Sequence, residues 1–188
     1  MKQYESGRKL NESIMDGVNK LADAVGSTLG PRGRNVIIKG KNLKPVITKD
    51  GVTVAKFVDF EDPFENLGAQ VVKQASESTN SSAGDGTTTS TVLTRAILTQ
   101  AQTHLSNNIS PIELKRGIDL AVKTIVSDLK EISRPVSTKE EIEQIATISA
   151  NGDSGIGKLI ATAVDEVGKD GAITIQEAKS NDTSLELT

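Results

Sequence analysis

The hexapeptide Gly84-Asp85-Gly86-Thr87-Thr88-Thr89 concentrates more potential chemistry than any other stretch of this chain. Two glycines let a backbone take positive φ and approach a ligand closely. The segment opens into a helical pattern with Val92, Leu93, Ala96, Ile97, Ala101 and Leu105 on its apolar side. The unpaired amides of such a first turn, at the positive end of the helix dipole, favour an anion. Three threonines add hydroxyl donors suited to phosphate oxygens, and Asp85 offers a carboxylate oxygen to a hard cation. The plainer alternative is a turn followed by a threonine cap. A turn needs one cap, however, and has no use for three consecutive β-branched residues in a first helical turn.

Two further loops carry residues of the same kind. Thr28-Leu29-Gly30-Pro31-Arg32-Gly33-Arg34 lies between a helix pattern and a strand pattern and, taken alone, reads as a helix C-cap. Thr48-Lys49-Asp50-Gly51 follows a strand pattern: Lys49 could neutralise phosphate charge, and Asp50 could orient a water or a metal. Alone it is a turn. Three such elements within a hundred residues, all at the ends of regular segments, outweigh any one of them. Gly152-Asp153-Ser154-Gly155-Ile156-Gly157-Lys158 has Walker A spacing but is rejected as a P-loop. Leu159 stands where Ser or Thr would bind magnesium, and no clear strand precedes it. The acidic run from Asp59 to Glu65 reads as a solvated helix start rather than a metal site. His104, the single histidine, reads as a solvated or weakly capping side chain.

Helices must position these loops. Leu10, Ile14, Val18, Leu21, Ala22 and Val25 form one apolar stripe that ends around residues 26–30. Short β-rich runs at 35–38 and 46–48, joined by a Gly/Asn/Lys turn, read as a hairpin or neighbouring strands. Asp62-Pro63 with Glu65 reads as N-cap, first turn and capping-box partner of a helix, and Ser110-Pro111 with Glu113 repeats the signal. The helix behind Pro111 runs to about Ile132, with Leu114, Ile118, Val122, Ile125 and Leu129 on one face. Pro135 marks a domain boundary. Thr138 and Glu141 then cap a short helix to about Ile148, a loop spans 149–153, and a second helix ends at Gly168. A strand is expected at 172–175, and Leu185 with Leu187 suggests the start of another. Residues 76–91 hold ten Ser or Thr, which elsewhere would suggest a linker, but both flanks are helical.

Composition narrows the function classes. Of 188 residues, 36% are hydrophobic and 2% aromatic, so the core must come from Ala, Val, Ile and Leu and is thin for this length. That thinness suggests a fragment or an oligomer. A net charge of −3 gives no reason to invoke nucleic acid or an anionic membrane. The absence of cysteine excludes disulfides and thiolate chemistry, and one histidine excludes multi-histidine zinc sites. No apolar run is long enough to span a bilayer, and the N-terminus is too polar for a signal peptide. A soluble intracellular protein is the expectation.

The three loops, in this order, resemble those of a group I chaperonin of the GroEL family. Phe64-Glu65-Asn66-Leu67-Gly68-Ala69-Gln70, Leu114-Lys115-Arg116-Gly117-Ile118-Asp119, Ile148-Ser149-Ala150-Asn151 and Val167-Gly168-Lys169-Asp170-Gly171-Ala172-Ile173-Thr174 extend the likeness over almost the whole chain. The resemblance implies a mainly α (α+β) fold. Residues 1–134 would be the N-terminal part of an equatorial domain with a small β-hairpin, and 135–188 the first segment of an intermediate domain. The apical domain, the return half of the intermediate domain with a second catalytic aspartate, and the C-terminal equatorial half have no counterpart.

Residue by residue, the resemblance implies that Thr28, Leu29, Gly30 and Pro31 line the base, sugar and phosphates of ATP, with Lys49 near the phosphates. Asp85 would hold Mg²⁺, Gly86, Thr87, Thr88 and Thr89 would cradle phosphate, and oxygens of Thr28, Lys49 and Thr88 would hold K⁺. Asp50 would be the catalytic residue that positions the attacking water. Ile148 and Asn151 belong to the stretch that approaches the nucleotide on domain closure. The implied function is a cytoplasmic, ATP-hydrolysing chaperonin subunit in a homo-oligomeric, heptameric ring, with unfolded clients and a co-chaperonin as partners and neither nucleic acid nor membrane. The alternative is a natural short or split chaperonin, an interaction module with little ATPase activity alone.

Overall fold

The apolar stripe of the first segment folds as α1 (Gly7–Gly26), with Gly17, Val18, Leu21, Ala22 and Val25 buried along it. This computed structural model describes residues 4–39, 44–168, 171–176 and 183–186. The chain forms two compact units, Met1–Ala121 and Val122–Thr188. In the first, α1 packs on α3 (Pro63–Ala83), whose inward face carries Gly68, Ala69, Val72, Lys73 and Ser76. The two helices cross at glycine: a Cβ on Gly17 would lie 1.8 Å from the Glu65 carbonyl oxygen, and one on Gly68 2.0 Å from that of Ile14. The core is Val18, Leu21, Val25, Val54, Ala55, Ala69 and Val72, and Leu21 is its largest fully buried side chain. A core of Leu, Val and Ala is what the scarcity of aromatics requires.

Between α1 and α3 lie an antiparallel strand pair, β1 (Val36–Ile38) and β2 (Val46–Thr48), and the short helix α2 (Gly51–Phe57). Val36 and Ile38 pack against the core while the opposed pair Ile37 and Ile47 faces out, the period-two alternation of a half-buried strand. The turn expected between the strands falls on 40–43, outside the described residues. Asp62 caps α3 through the Phe64 and Glu65 amides at 2.8 and 3.0 Å, with Pro63 at the first position. Glu65 was expected to complete a capping box; instead its carboxylate accepts from Lys20 at 2.5 Å. The close crossing at Gly17 brings Lys20, three residues further along α1, opposite Glu65. That hydrogen bond raises the Lys20 ammonium above its usual pKa.

The Ser/Thr-rich segment is no linker: residues 76–83 complete α3 and 87–91 begin α4 (Thr87–Ser106), which packs on both α1 and α3. α5 (Pro111–Ile132) follows and has no buried residue. Its expected apolar face is present, yet Val122, Ile125 and Leu129 are each about half exposed.

In the second unit, Thr138 and Glu141 form a complete capping box at the start of α6 (Lys139–Ser149). The backbone N–H of Ser137, then that of Thr138, hold the Glu141 carboxyl below the usual carboxylate range. α7 (Ser154–Val167) is capped by Asp153 and packs on α6 around Ala146, Gly157, Ala161 and Ala163. Ser149, expected in the loop, is the last residue of α6. The strand expected at 172–175 is not formed: these residues are irregular. A strand needs a paired neighbour, and among the described residues none lies beside it. Leu185 is likewise irregular, and Leu187 lies outside the described residues.

Candidate functional site

Each of the three loops is locally determined. After α1, the Thr28 hydroxyl donates to the Val25 carbonyl at 2.7 Å and the Arg34 N–H donates to the Ser27 carbonyl at 2.8 Å, closing the loop on itself. Thr28 is buried, while Leu29, Gly30 and Pro31 form an exposed tip with Gly30 at φ 73°. Before α2, the Thr48 hydroxyl accepts the Asp50 N–H at 3.0 Å. The Asp50 carboxylate accepts from the Val52 N–H at 3.3 Å, the Thr53 N–H at 3.1 Å and the Thr53 hydroxyl at 2.5 Å. Lys49 is exposed beside it.

Before α4, Gly84 (φ 72°) ends α3 and Gly86 (φ 83°) is the N-cap. Both take the left-handed conformation that two glycines in this motif suggest. The N-cap of α4 is a glycine with no side chain to bond the first turn, whose donors are the Thr87, Thr88 and Thr89 amides. Asp85 accepts from the Gly86 N–H at 2.6 Å. Thr87 is buried, Thr88 half-buried and Thr89 exposed.

The tertiary structure joins these loops at Thr88. Its Oγ1 stands 3.5 Å from that of Thr28, sixty residues away. Gly51, at the first position of α2, lies so near that a Cβ there would be 2.1 Å from the Thr88 Oγ1. Thr28, Gly51 and Thr88 therefore meet at one place, with Asp50 the residue before Gly51. Leu29, Gly30, Pro31, Lys49, Asp85, Gly86, Thr87 and Thr89 lie on the same three segments. Ile148 and Asn151 belong to the second unit: Ile148 is exposed near the end of α6, and Asn151 takes φ 56° in the following turn. The motif reading passed over Gly51 as a turn residue. A signal was available, because glycine is a poor first residue for a helix already capped by aspartate.

The donors at this junction are hydroxyl and carboxylate oxygens, the chemistry of a hard cation. Among the described residues no three His, Cys, Asp or Glu side chains cluster to hold a metal. A magnesium ion here would therefore share its coordination between one carboxylate and the phosphates of a ligand, its usual arrangement with nucleotides. The Walker-like segment offers no competing site. It follows α6 rather than a strand, and a Cβ on Gly157 would meet the Thr147 hydroxyl at 2.0 Å, so that glycine serves the α6–α7 contact. Among the described residues no helix is long and apolar enough to cross a membrane.

Among the described residues, seven helices and one strand pair make a mainly α architecture, consistent with a chaperonin equatorial-type domain. The chain belongs to the TCP-1/cpn60 chaperonin family, whose family model matches residues 21–186. Among solved structures it is similar to the chaperonin gp146 from the bacteriophage EL 2 (Pseudomonas aeruginosa), crystallised in the presence of ATP-BeFx. One crystal form gives 28% identity and a TM-score of 0.70 over 88% of this chain. The other gives 29% identity and a TM-score of 0.69 over 85%. The chain spans less than a third of that protein, 29% and 28% of its length in the two forms.

Proposed function

We propose that this chain is the nucleotide-binding part of an ATP-driven chaperonin subunit. The observation that carries the reading is the meeting of Thr28, Gly51 beside Asp50, and Thr88 at the start of α4, whose N-cap is a glycine. A phosphate at that helix start would accept from the Thr87, Thr88 and Thr89 amides and the Thr87 and Thr89 hydroxyls, with Gly84 and Gly86 giving the backbone room. Leu29, Gly30 and Pro31 supply an exposed wall for base and sugar, and exposed Lys49 adds positive charge near the phosphates. Asp85 is the magnesium ligand, and oxygens of Thr28, Lys49 and Thr88 suit K⁺; when bound, both ions offset phosphate charge. Asp50 holds the attacking water: its Oδ1 accepts one bond from the backbone and has capacity for another.

In the whole subunit, residues 1–134 serve the equatorial domain and 135–188 begin the intermediate domain, whose closure brings Ile148 and Asn151 to the nucleotide. Work on unfolded clients, a co-chaperonin partner, a heptameric ring and a cytoplasmic setting accompany this reading. A natural short or split chaperonin, acting as an interaction module, is the second reading, which the half-exposed Val122, Ile125 and Leu129 on the apolar face of α5 favour. Under either reading, phosphate release by the 188 residues alone should be slow.

Titration calorimetry with Mg-ADP in potassium buffer tests the proposal. The chain should bind, and Asp85→Ala should lose roughly tenfold or more in affinity, the worth of one charged ligand at about 1.5–3 kcal/mol. Equal affinity in the two proteins would remove Asp85 from the site, and no binding by the unaltered chain would end the nucleotide reading.

A further inference from the structure

Gly51 is buried at the first position of α2, directly after the Asp50 cap. Its φ is not positive, so the backbone there does not call for glycine. Space does. A Cβ would lie 2.1 Å from the Thr88 Oγ1 and 3.2 Å from both the Thr88 Cβ and the Val25 Cγ1. Val25 is fully buried in the core and cannot give way cheaply. The start of α2 is held as well, by three hydrogen bonds to the Asp50 carboxylate.

We propose that Gly51 is a positioning residue for the nucleotide site: its missing Cβ keeps the Thr88 hydroxyl turned toward Thr28 and lets Asp50 approach the start of α4. This rests on the nucleotide reading above and deepens it. The Thr28 hydroxyl spends its hydrogen on the Val25 carbonyl at 2.7 Å, so in the pair with Thr88 it is the acceptor and Thr88 the donor. A methyl group at residue 51 leaves two responses. Thr88 changes rotamer, which carries its hydroxyl away from Thr28, or α2 shifts, which carries Asp50 away from α4. Each response spoils the oxygen arrangement without removing any ligand atom.

The test compares Gly51→Ala with the unaltered chain in calorimetric titrations of Mg-ADP, in potassium and then in sodium buffer, well below the melting temperature. The unaltered chain should bind more tightly in potassium. Gly51→Ala should weaken binding by about three- to tenfold, the equivalent of one lost hydrogen bond, and its potassium-to-sodium affinity ratio should fall to about one. A loss of stability alone would leave that ratio unchanged in the folded fraction. In a Thr88→Ala background the Gly51→Ala change should cost less, because the atom at 2.1 Å is gone and only the two contacts at 3.2 Å remain. Thr88→Val removes the hydroxyl at constant shape and reports even if Gly51→Ala fails to fold; it should show the same loss of ratio. Gly51→Ala or Thr88→Val binding with unaltered affinity and ratio would overturn the positioning role and leave the nucleotide reading standing. Failure of the unaltered chain to bind Mg-ADP would overturn both.

Discussion

Two glycine-to-alanine substitutions within helices should change stability in opposite directions. Gly17 and Gly117 both lie in the interior of long helices, where alanine is intrinsically better by about 1 kcal/mol. At Gly117, in α5, a Cβ meets nothing within 4 Å, so that gain should be realised as roughly 0.5–1 kcal/mol of added stability. At Gly17 the Cβ falls 1.8 Å from the Glu65 carbonyl oxygen, whereas ordinary contact begins at 3.4 Å. α1 and α3 would have to part by more than an ångström across the interface that holds the core. Overpacking of this kind costs typically 1–3 kcal/mol, and a clash with backbone belongs at the upper end. After subtracting the propensity gain, Gly17→Ala should lose about 2 kcal/mol. For a chain of this size the melting temperature should fall by roughly 4–8 °C at Gly17 and rise by about 1–4 °C at Gly117. Urea unfolding followed by far-ultraviolet circular dichroism reads both. If the two midpoints move the same way, the α1–α3 crossing is not as close as described and the reasoning fails.

Asp50→Ala should leave Mg-ADP binding within a few-fold of normal and slow phosphate release in single-turnover measurements, because the residue is assigned to the water and not to the metal; equal losses in both would make it a metal ligand. The same substitution removes the cap of α2 and should cost about 1 kcal/mol of stability in urea unfolding. Glu141 has a lowered carboxyl pKa through the Ser137 and Thr138 amides. Its support of α6 is therefore complete above the unfolded carboxylate value of about 4.3 and is lost as pH falls through the lower folded value. The Ser137 and Thr138 amide proton shifts should titrate in that acid range and stop doing so in Glu141→Gln, which retains the capping box; titration that persists in the variant would mean another group controls it.

Much of this protein was legible along the chain because it is local. Asp62 before Pro63, the Thr138–Glu141 box and Gly168 after α7 set helix ends through bonds that span four residues or fewer, so residue type alone announces them. The loop at 84–89 was visible too, since two glycines one residue apart followed by a run of threonines have few other uses, whereas the loops at 28–34 and 48–51 gained meaning only in its company. What joins the loops was not visible. The Thr28–Thr88 contact and the fit of Gly51 against Thr88 depend on how α1, α2 and α4 pack, and no spacing in the sequence encodes that distance. The same holds for Glu65, whose local partner lost to Lys20 once α1 crossed α3 at glycine. The expected strand at 172–175 failed for the complementary reason. β-propensity marks a segment as able to pair, but pairing needs a neighbour that only the tertiary structure supplies.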